Sequence, residues 1–195
     1  MTIYLASNNA HKRDEFARLF PGHAIRMPGD DGCAFEFAED GSTFLENAMG
    51  KAYALFRTVH APVIADDSGL CVAALGGAPG LISARYGAQN GRNLDAAERN
   101  AFLLERLKGV DDRAAYFVCC LVLAVEDARC YTVQETVHGI IADAPRGRGG
   151  FGYDPLFIVP GIGKTIAELP DHEKDRISHR GRASRRMRAL MESLE

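Results

Sequence analysis

Apolar and polar positions along the 195 residues fall into blocks that switch between a strand-like and a helix-like period. Thr2 to Ala6 is a short apolar run broken by Ser7-Asn8-Asn9, which predicts a strand. A helix is predicted from about Ala10. Phe16, Leu19 and Phe20 form its buried face at i, i+3, i+4, and Pro21-Gly22 stops it. Residues 23–41 hold no period and read as an acidic loop with Asp30, Asp31, Glu36, Glu39 and Asp40. Thr43 and Glu46 then match the S/T-x-x-E capping pattern, so a helix is expected to run to Val59. Phe44, Ala48, Leu55 and Val59 mark its stripe, with Ala52 beside it, while Asn47 and Lys51 share a different face.

Val63-Ile64-Ala65 reads as a buried strand that ends in two adjacent carboxylates, Asp66 and Asp67. Ser68-Gly69 reads as a turn, Leu70 to Leu75 as a second short strand, and Gly76 to Gly80 as a glycine-rich loop. A third helix is expected over Leu94 to Lys108, with Leu94, Ala97, Ala101, Leu104 and Leu107 facing inward. Ala114 to Val125 is the most apolar run and predicts a central strand. Cys130 to Val137, resuming at Ile140-Ile141, pairs back antiparallel after a turn at Glu126 to Ala128. Thr165 to Glu168 again fits a capping box. The last helix, capped by Ser178, carries Ala183, Met187, Leu190, Met191 and Leu194. The pattern as a whole predicts a mixed α/β fold with long antiparallel strands.

Composition narrows the function classes. A 47% hydrophobic, 25% charged chain is an ordinary soluble globular mix. A net charge of −3 gives no field favouring nucleic acid or a membrane surface, so neither is expected as a partner. No apolar run reaches the roughly 20 residues of a membrane helix, and no signal-peptide pattern opens the chain. Five cysteines, an odd number without C-x-x-C, point to reduced thiols in the cytoplasm and away from a metal or redox role.

The residues with candidate chemistry sit at the breaks in the pattern. Two neighbouring carboxylates repel unless a cation compensates them, so Asp66-Asp67 suggests a magnesium and phosphate site. Ser7 or Asn9 either caps the following helix or leaves its N–H groups for an anion, with Lys12 in the first turn. Arg85 could meet a phosphate bidentately. Phe151 and Tyr153, flanking Gly152, read equally as a stacking platform for a base or as anchors in the core. Lys174, His179 and Arg180 stand apart from the arginines of the last helix, most of which face solvent. No G-x-x-x-x-G-K-[ST], G-x-G-x-x-G or G-x-S-x-G motif occurs.

Taken in order, these pieces resemble one family. Ser7-Asn8-Asn9 with Lys12 and Glu15 resembles its S-N-N-x-x-K-x-x-E. Glu39 to Ala48 with Lys51 resembles E-x-G-x-T-F-x-E-N-A. Ala65 to Tyr86, Gly150 to Pro155, Ala167 to Leu169 and Ser178 to Gly181 complete the match over about residues 3–190. The family is that of the inosine triphosphate pyrophosphatases, also called XTP/dITP diphosphatases, which remove non-standard purine nucleotides. The resemblance implies one mixed α/β domain over 1–195, an elongated central sheet flanked by helices, and two lobes with the nucleotide in the cleft. It implies a homodimer, dependence on Mg²⁺, and cleavage between the α and β phosphates. It makes Asp67 the catalytic acid and a magnesium ligand, with Glu39 sharing the metal and Asp66 a structural neighbour. Ser7, Asn9 and Lys12 would hold the triphosphate, Ser68 would stand beside the metal, and Asn8, Lys51 and Arg85 would join them in binding substrate. Phe151, Gly152, Tyr153, Asp154, Lys174, His179 and Arg180 would form the base pocket. Hypoxanthine and xanthine present O6 as an acceptor to such donors, whereas adenine presents an amino group. A Maf-like pyrophosphatase of other base preference and a non-hydrolysing nucleotide sensor are the alternatives. The Phe151–Asp154 and Ser178–Arg180 segments argue against the first, the Asp67–Glu39 pair against the second.

Overall fold

The computed structural model describes residues 1–88 and 91–192, so Leu194 lies outside the described residues. Six strands, β1 (Thr2–Leu5), β2 (Ala24–Arg26), β3 (Val63–Val72), β4 (Ala114–Glu126), β5 (Arg129–Ile141) and β6 (Phe157–Ile158), form one sheet in the order β2-β1-β3-β4-β5-β6. β1 runs parallel to β2 and β3, and β6 runs antiparallel to β5, so the sheet is mixed as the sequence predicts. The helices are α1 (Ala10–Leu19), α2 (Phe44–Val59), α3 (Ala96–Arg106), α4 (Asp171–Ile177) and α5 (His179–Glu192). The three-residue β2 inside the acidic stretch and the seven-residue α4 were not predicted, being too short to show a period.

The chain forms two compact units. One holds Met1–Asp67, Cys119–Glu135 and Arg180–Glu195, the other Ser68–Val118 and Thr136–His179. In the first unit two cores follow from strand alternation. Ile64, Cys119, Leu121 and Leu123 pack with Phe16, Leu19 and Phe20 of the α1 segment and Ala183, Met187 and Met191 of α5. Val63, Ala65, Cys120, Val122 and Ala124 pack with Ala48, Ala52, Leu55 and Phe56 of α2. Odd and even positions thus serve opposite faces of one strand. Leu190, expected inward, is 37% exposed, and Ser184 is buried on α5 instead. The second unit has a single core built from Leu70, Val72, Leu103, Phe117, Tyr153 and Phe157, among others.

Two expectations are corrected. β3 does not stop at Asp66-Asp67: it runs unbroken through Ser68 and Gly69 to Val72, and only then enters a short 3-10 helix, Ala73–Leu75. The ladder and burial on both faces override the local turn preference of Ser-Gly. On α3 the buried positions are Asn100 and Leu103, followed by Leu107 just past the helix, while Ala97 and Ala101 are exposed. Alanine methyls bury little area, so the large leucine and the Asn100 hydrogen bond decide which way the helix faces.

Candidate active site

The site begins where β1 ends. Tyr4 N donates to Pro62 O and Ala6 N to Ile64 O, each at 2.9 Å, and there the parallel ladder between β1 and β3 stops. Two residues on, Asp66 O accepts from Lys51 Nζ at 2.9 Å and Lys12 Nζ at 3.3 Å, so this one carbonyl gathers two ammonium groups.

On the α1/α5 side of β3 lies the Asp66 carboxylate. Arg180 donates to its Oδ2 from Nε at 3.0 Å and Nη2 at 2.9 Å. Arg180 Nη1 reaches Glu15 at 3.0 Å, Lys12 Nζ lies 3.0 Å from Asp66 Oδ2, and Cys119 Sγ donates to Oδ1 at 3.3 Å. Burial opposes the Arg180 charge, but Asp66 and Glu15 more than compensate, and its proton is held far above the ordinary range. This group is a buried ion-pair network centred on Arg180.

Asp67 faces α2. Asn47 Nδ2 donates to its Oδ2 at 3.1 Å, and Lys51 Nζ lies 3.3 Å from its Oδ1. Lys51 also binds the Glu39 carboxylate. Burial pushes the Asp67 carboxyl above its usual value, Lys51 pulls it back in part, and Glu39 pushes it up again. Burial lowers Lys51, but Asp67 and Glu39 together lift it above an ordinary lysine, so it stays charged. Asn47 is a site residue the sequence reading passed over, although its i, i+4 spacing from Lys51 puts both on one helical face.

Asn9 caps α1, its Oδ1 accepting from His11 N at 2.9 Å and Lys12 N at 3.4 Å, and Asn9 N donates to Ser7 Oγ at 3.1 Å. The capping reading of Ser7-Asn9 therefore describes this structure, and those N–H groups already have acceptors. Asn8 Nδ2 donates to Phe35 O at 2.7 Å. A cavity of about 570 Å³ has Ser7, Asn8, Lys12, Glu39 and Lys51 in its wall. A second, about 760 Å³, lies around Leu104, Asp111 and Arg113 and contains none of the candidate residues.

The second unit holds the other candidates. Gly150 (φ +67°) opens a turn in which Asp154 Oδ2 accepts from Phe151 N at 2.8 Å and from Lys174 Nζ at 2.8 Å. Lys174 also lies 4.9 Å from the Phe151 ring centroid, a cation–π contact. Gly152 O accepts from the Asn100 side chain at 3.1 Å. Tyr153 is buried in the core and donates to Ser83 O at 2.9 Å, so its ring anchors the turn. His179 stacks on Phe117 with centroids 4.6 Å apart. Arg85 ends a 3-10 helix half-buried, and Ser68 is half-buried within β3. Arg180, assigned to the base pocket by the resemblance, gives its guanidinium to Asp66 and Glu15 within its own unit.

The donor set suits magnesium. Glu39 and Asp67 bring hard carboxylate oxygens to one ammonium, and Mg²⁺ uses one or two carboxylates with substrate phosphates. Among the described residues no three His, Cys, Asp or Glu converge as a self-sufficient metal cage. Around the site three cations (Lys12, Lys51, Arg180) meet four carboxylates (Glu15, Glu39, Asp66, Asp67), a formal balance of 3 − 4 = −1. A polyphosphate binding there needs added positive charge.

The Ham1 family model matches residues 3–190. A dITP/XTP pyrophosphatase of Treponema denticola is 55% identical over 183 residues, covering 94% of each chain. One of Geobacillus kaustophilus is 49% identical, over 93% of this chain and 89% of its own. Among solved structures, the Staphylococcus aureus Ham1 protein superposes with a TM-score of 0.87 at 39% identity over the whole of both chains. A HAM1 protein from Coxiella burnetii gives the same score and identity over 99% of each. With a match that spans nearly every element described above, this chain belongs to the Ham1 family.

Proposed function

We propose that this chain hydrolyses non-standard purine nucleoside triphosphates (ITP, dITP and XTP) to the monophosphate and pyrophosphate, with Mg²⁺ held by Asp67 and Glu39. The observation that carries the reading is the meeting of Asp67, Glu39 and Lys51, with Ser7 and Lys12 sharing a cavity with the last two. It occurs in a chain 55% identical to a dITP/XTP pyrophosphatase. Bound magnesium would screen the phosphate charge and acidify a coordinated water. Asp67, its carboxyl raised by burial, suits the role of proton acceptor from the attacking water. The water oxygen bonds to the α phosphorus, the bond to the bridging oxygen breaks, and pyrophosphate leaves. Lys51, raised by its carboxylate neighbours, stays protonated; Lys12 and Lys51 receive phosphate oxygens, and Asn47 holds the Asp67 carboxylate in orientation.

Lys174, fixed by Asp154 and Phe151, supplies donors for a purine O6, while an adenine amino group would leave them unmet. The chain acts in the cytosol as a homodimer on this reading. None of its five cysteines is disulfide-bonded, and no helix among the described residues is long and apolar enough to cross a membrane.

The test is incubation with Mg²⁺ and a panel of nucleoside triphosphates, measuring pyrophosphate against orthophosphate. Pyrophosphate from dITP, ITP and XTP supports the reading. Orthophosphate from ATP as the main product ends it. Elution of the protein as a monomer in size-exclusion chromatography would remove the dimer.

A further inference from the structure

Residues 33–41 have no regular structure, yet they are pinned to the first unit at spaced points. Phe35 O accepts from Asn8. Gly41 N donates to Asn47 Oδ1 at 2.8 Å. Between these pins the Phe37 ring lies against Gly50 of α2. A β-carbon on Gly50 would sit 3.1 and 3.2 Å from Phe37 Cε2 and Cε1, and closer still to Cζ. The ring thus fills the space that any larger residue would need. Glycine in mid-helix is less favourable than alanine, so this position gives up helix stability to admit the ring. Gly50 precedes Lys51 and lies three residues after Asn47, the two α2 residues that hold Asp67. Glu39, two residues beyond Phe37, is the carboxylate on Lys51.

We infer that Phe37 and Gly50 form a ring-in-socket latch that positions Glu39 against Lys51 and Asp67. The latch sets the Mg²⁺ requirement of the site, and this step rests on the reading of Glu39 and Asp67 as metal ligands. Phe37 and Gly50 are positioning residues, since neither carries a group that can meet the metal or the phosphates.

The experiment compares the unaltered protein with Gly50→Ala, Phe37→Ala and the double variant. Gly50→Ala favours the helix, so its thermal midpoint without metal should not fall. Its strap should loosen, and a glutamyl endopeptidase should cut after Glu36 or Glu39 several-fold faster in the nucleotide-free protein. The Mg²⁺ concentration for half-maximal pyrophosphate release should rise by about tenfold, with the rate at saturating Mg²⁺ changing far less. The double variant should resemble either single variant, because both break one contact. Proteolysis and Mg²⁺ dependence that stay the same in Gly50→Ala, or strictly additive effects in the double variant, would overturn the latch. Failure of the unaltered protein to release pyrophosphate from dITP would overturn the function instead, and proteolysis would still report on the latch.

Discussion

Asp66 and Asp67 are consecutive residues of β3 whose carboxylates leave the strand on opposite faces. Asp66 meets Arg180, Lys12 and Cys119 on the side of α1 and α5, and Asp67 meets Asn47 and Lys51 of α2. Strand alternation turns what looks like a repelling pair into two separate environments. One carboxylate is locked in an ion-pair network; the other, near Glu39 through Lys51, is available for chemistry.

Asp67→Asn should abolish turnover without destabilising the metal-free protein. The folded-state pKa of this carboxyl is raised, chiefly by burial. The folded chain therefore holds that proton more tightly than the unfolded chain. Its contribution favours folding at pH below the unfolded value and is lost as pH rises through the folded value. At neutral pH the charged group is a cost that asparagine removes. Calorimetry without metal should give a Tm equal to or above the parent. A variant that is active, or unfolds several degrees earlier, would contradict this.

Arg180→Met should cost about 3–5 kcal/mol of stability, because it takes the guanidinium from buried Glu15 and leaves Lys12 to balance buried Asp66. Urea midpoints measure it. Discrimination of dITP from dATP in the folded fraction should be nearly unchanged. Lost discrimination with intact stability would return Arg180 to the base pocket.

Lys174→Met should raise KM for dITP roughly 10–100-fold, as expected for the loss of a charge-assisted hydrogen bond, while pyrophosphate remains the product. Steady-state kinetics on dITP and dATP decide it. An equal loss with both nucleotides would mean that Lys174 only supports the Asp154 turn.

Cys120 should resist alkylation in the native protein at mildly alkaline pH. Burial, followed by Asp66 and Asp67, pushes its thiol from 9.0 up to about 11. The folded state keeps the thiol neutral while the unfolded state ionises. Stability from this group is present below pH 9.0 and falls as pH rises toward about 11. Peptide mapping after iodoacetamide treatment should find Cys33 and Cys130, both half-buried, labelled before Cys120. Cys120→Ala should flatten the alkaline loss of stability, and an unchanged slope would refute the assignment.

Sequence alone determined the elements with enough length to show a period: β1, α1, α2, β4, β5 and α5, and the mixed character of the sheet. It also placed Asp67, Glu39 and Lys51 among the site candidates, because the family motifs are local in the chain. The tertiary structure decided what depends on faces and on residues far apart. β3 continues through Ser68-Gly69 because pairing and burial outweigh turn preference there. Arg180 reaches Asp66 across 114 positions, a pairing that no local pattern encodes. Tyr153 is an anchor rather than a platform because its ring meets the core of its unit. α3 turns Asn100 and Leu103 inward because packing, not the alanine stripe, sets its rotation. Local chemistry is written in neighbouring residues, whereas the direction a side chain takes is set by what packs against the other side of its strand or helix.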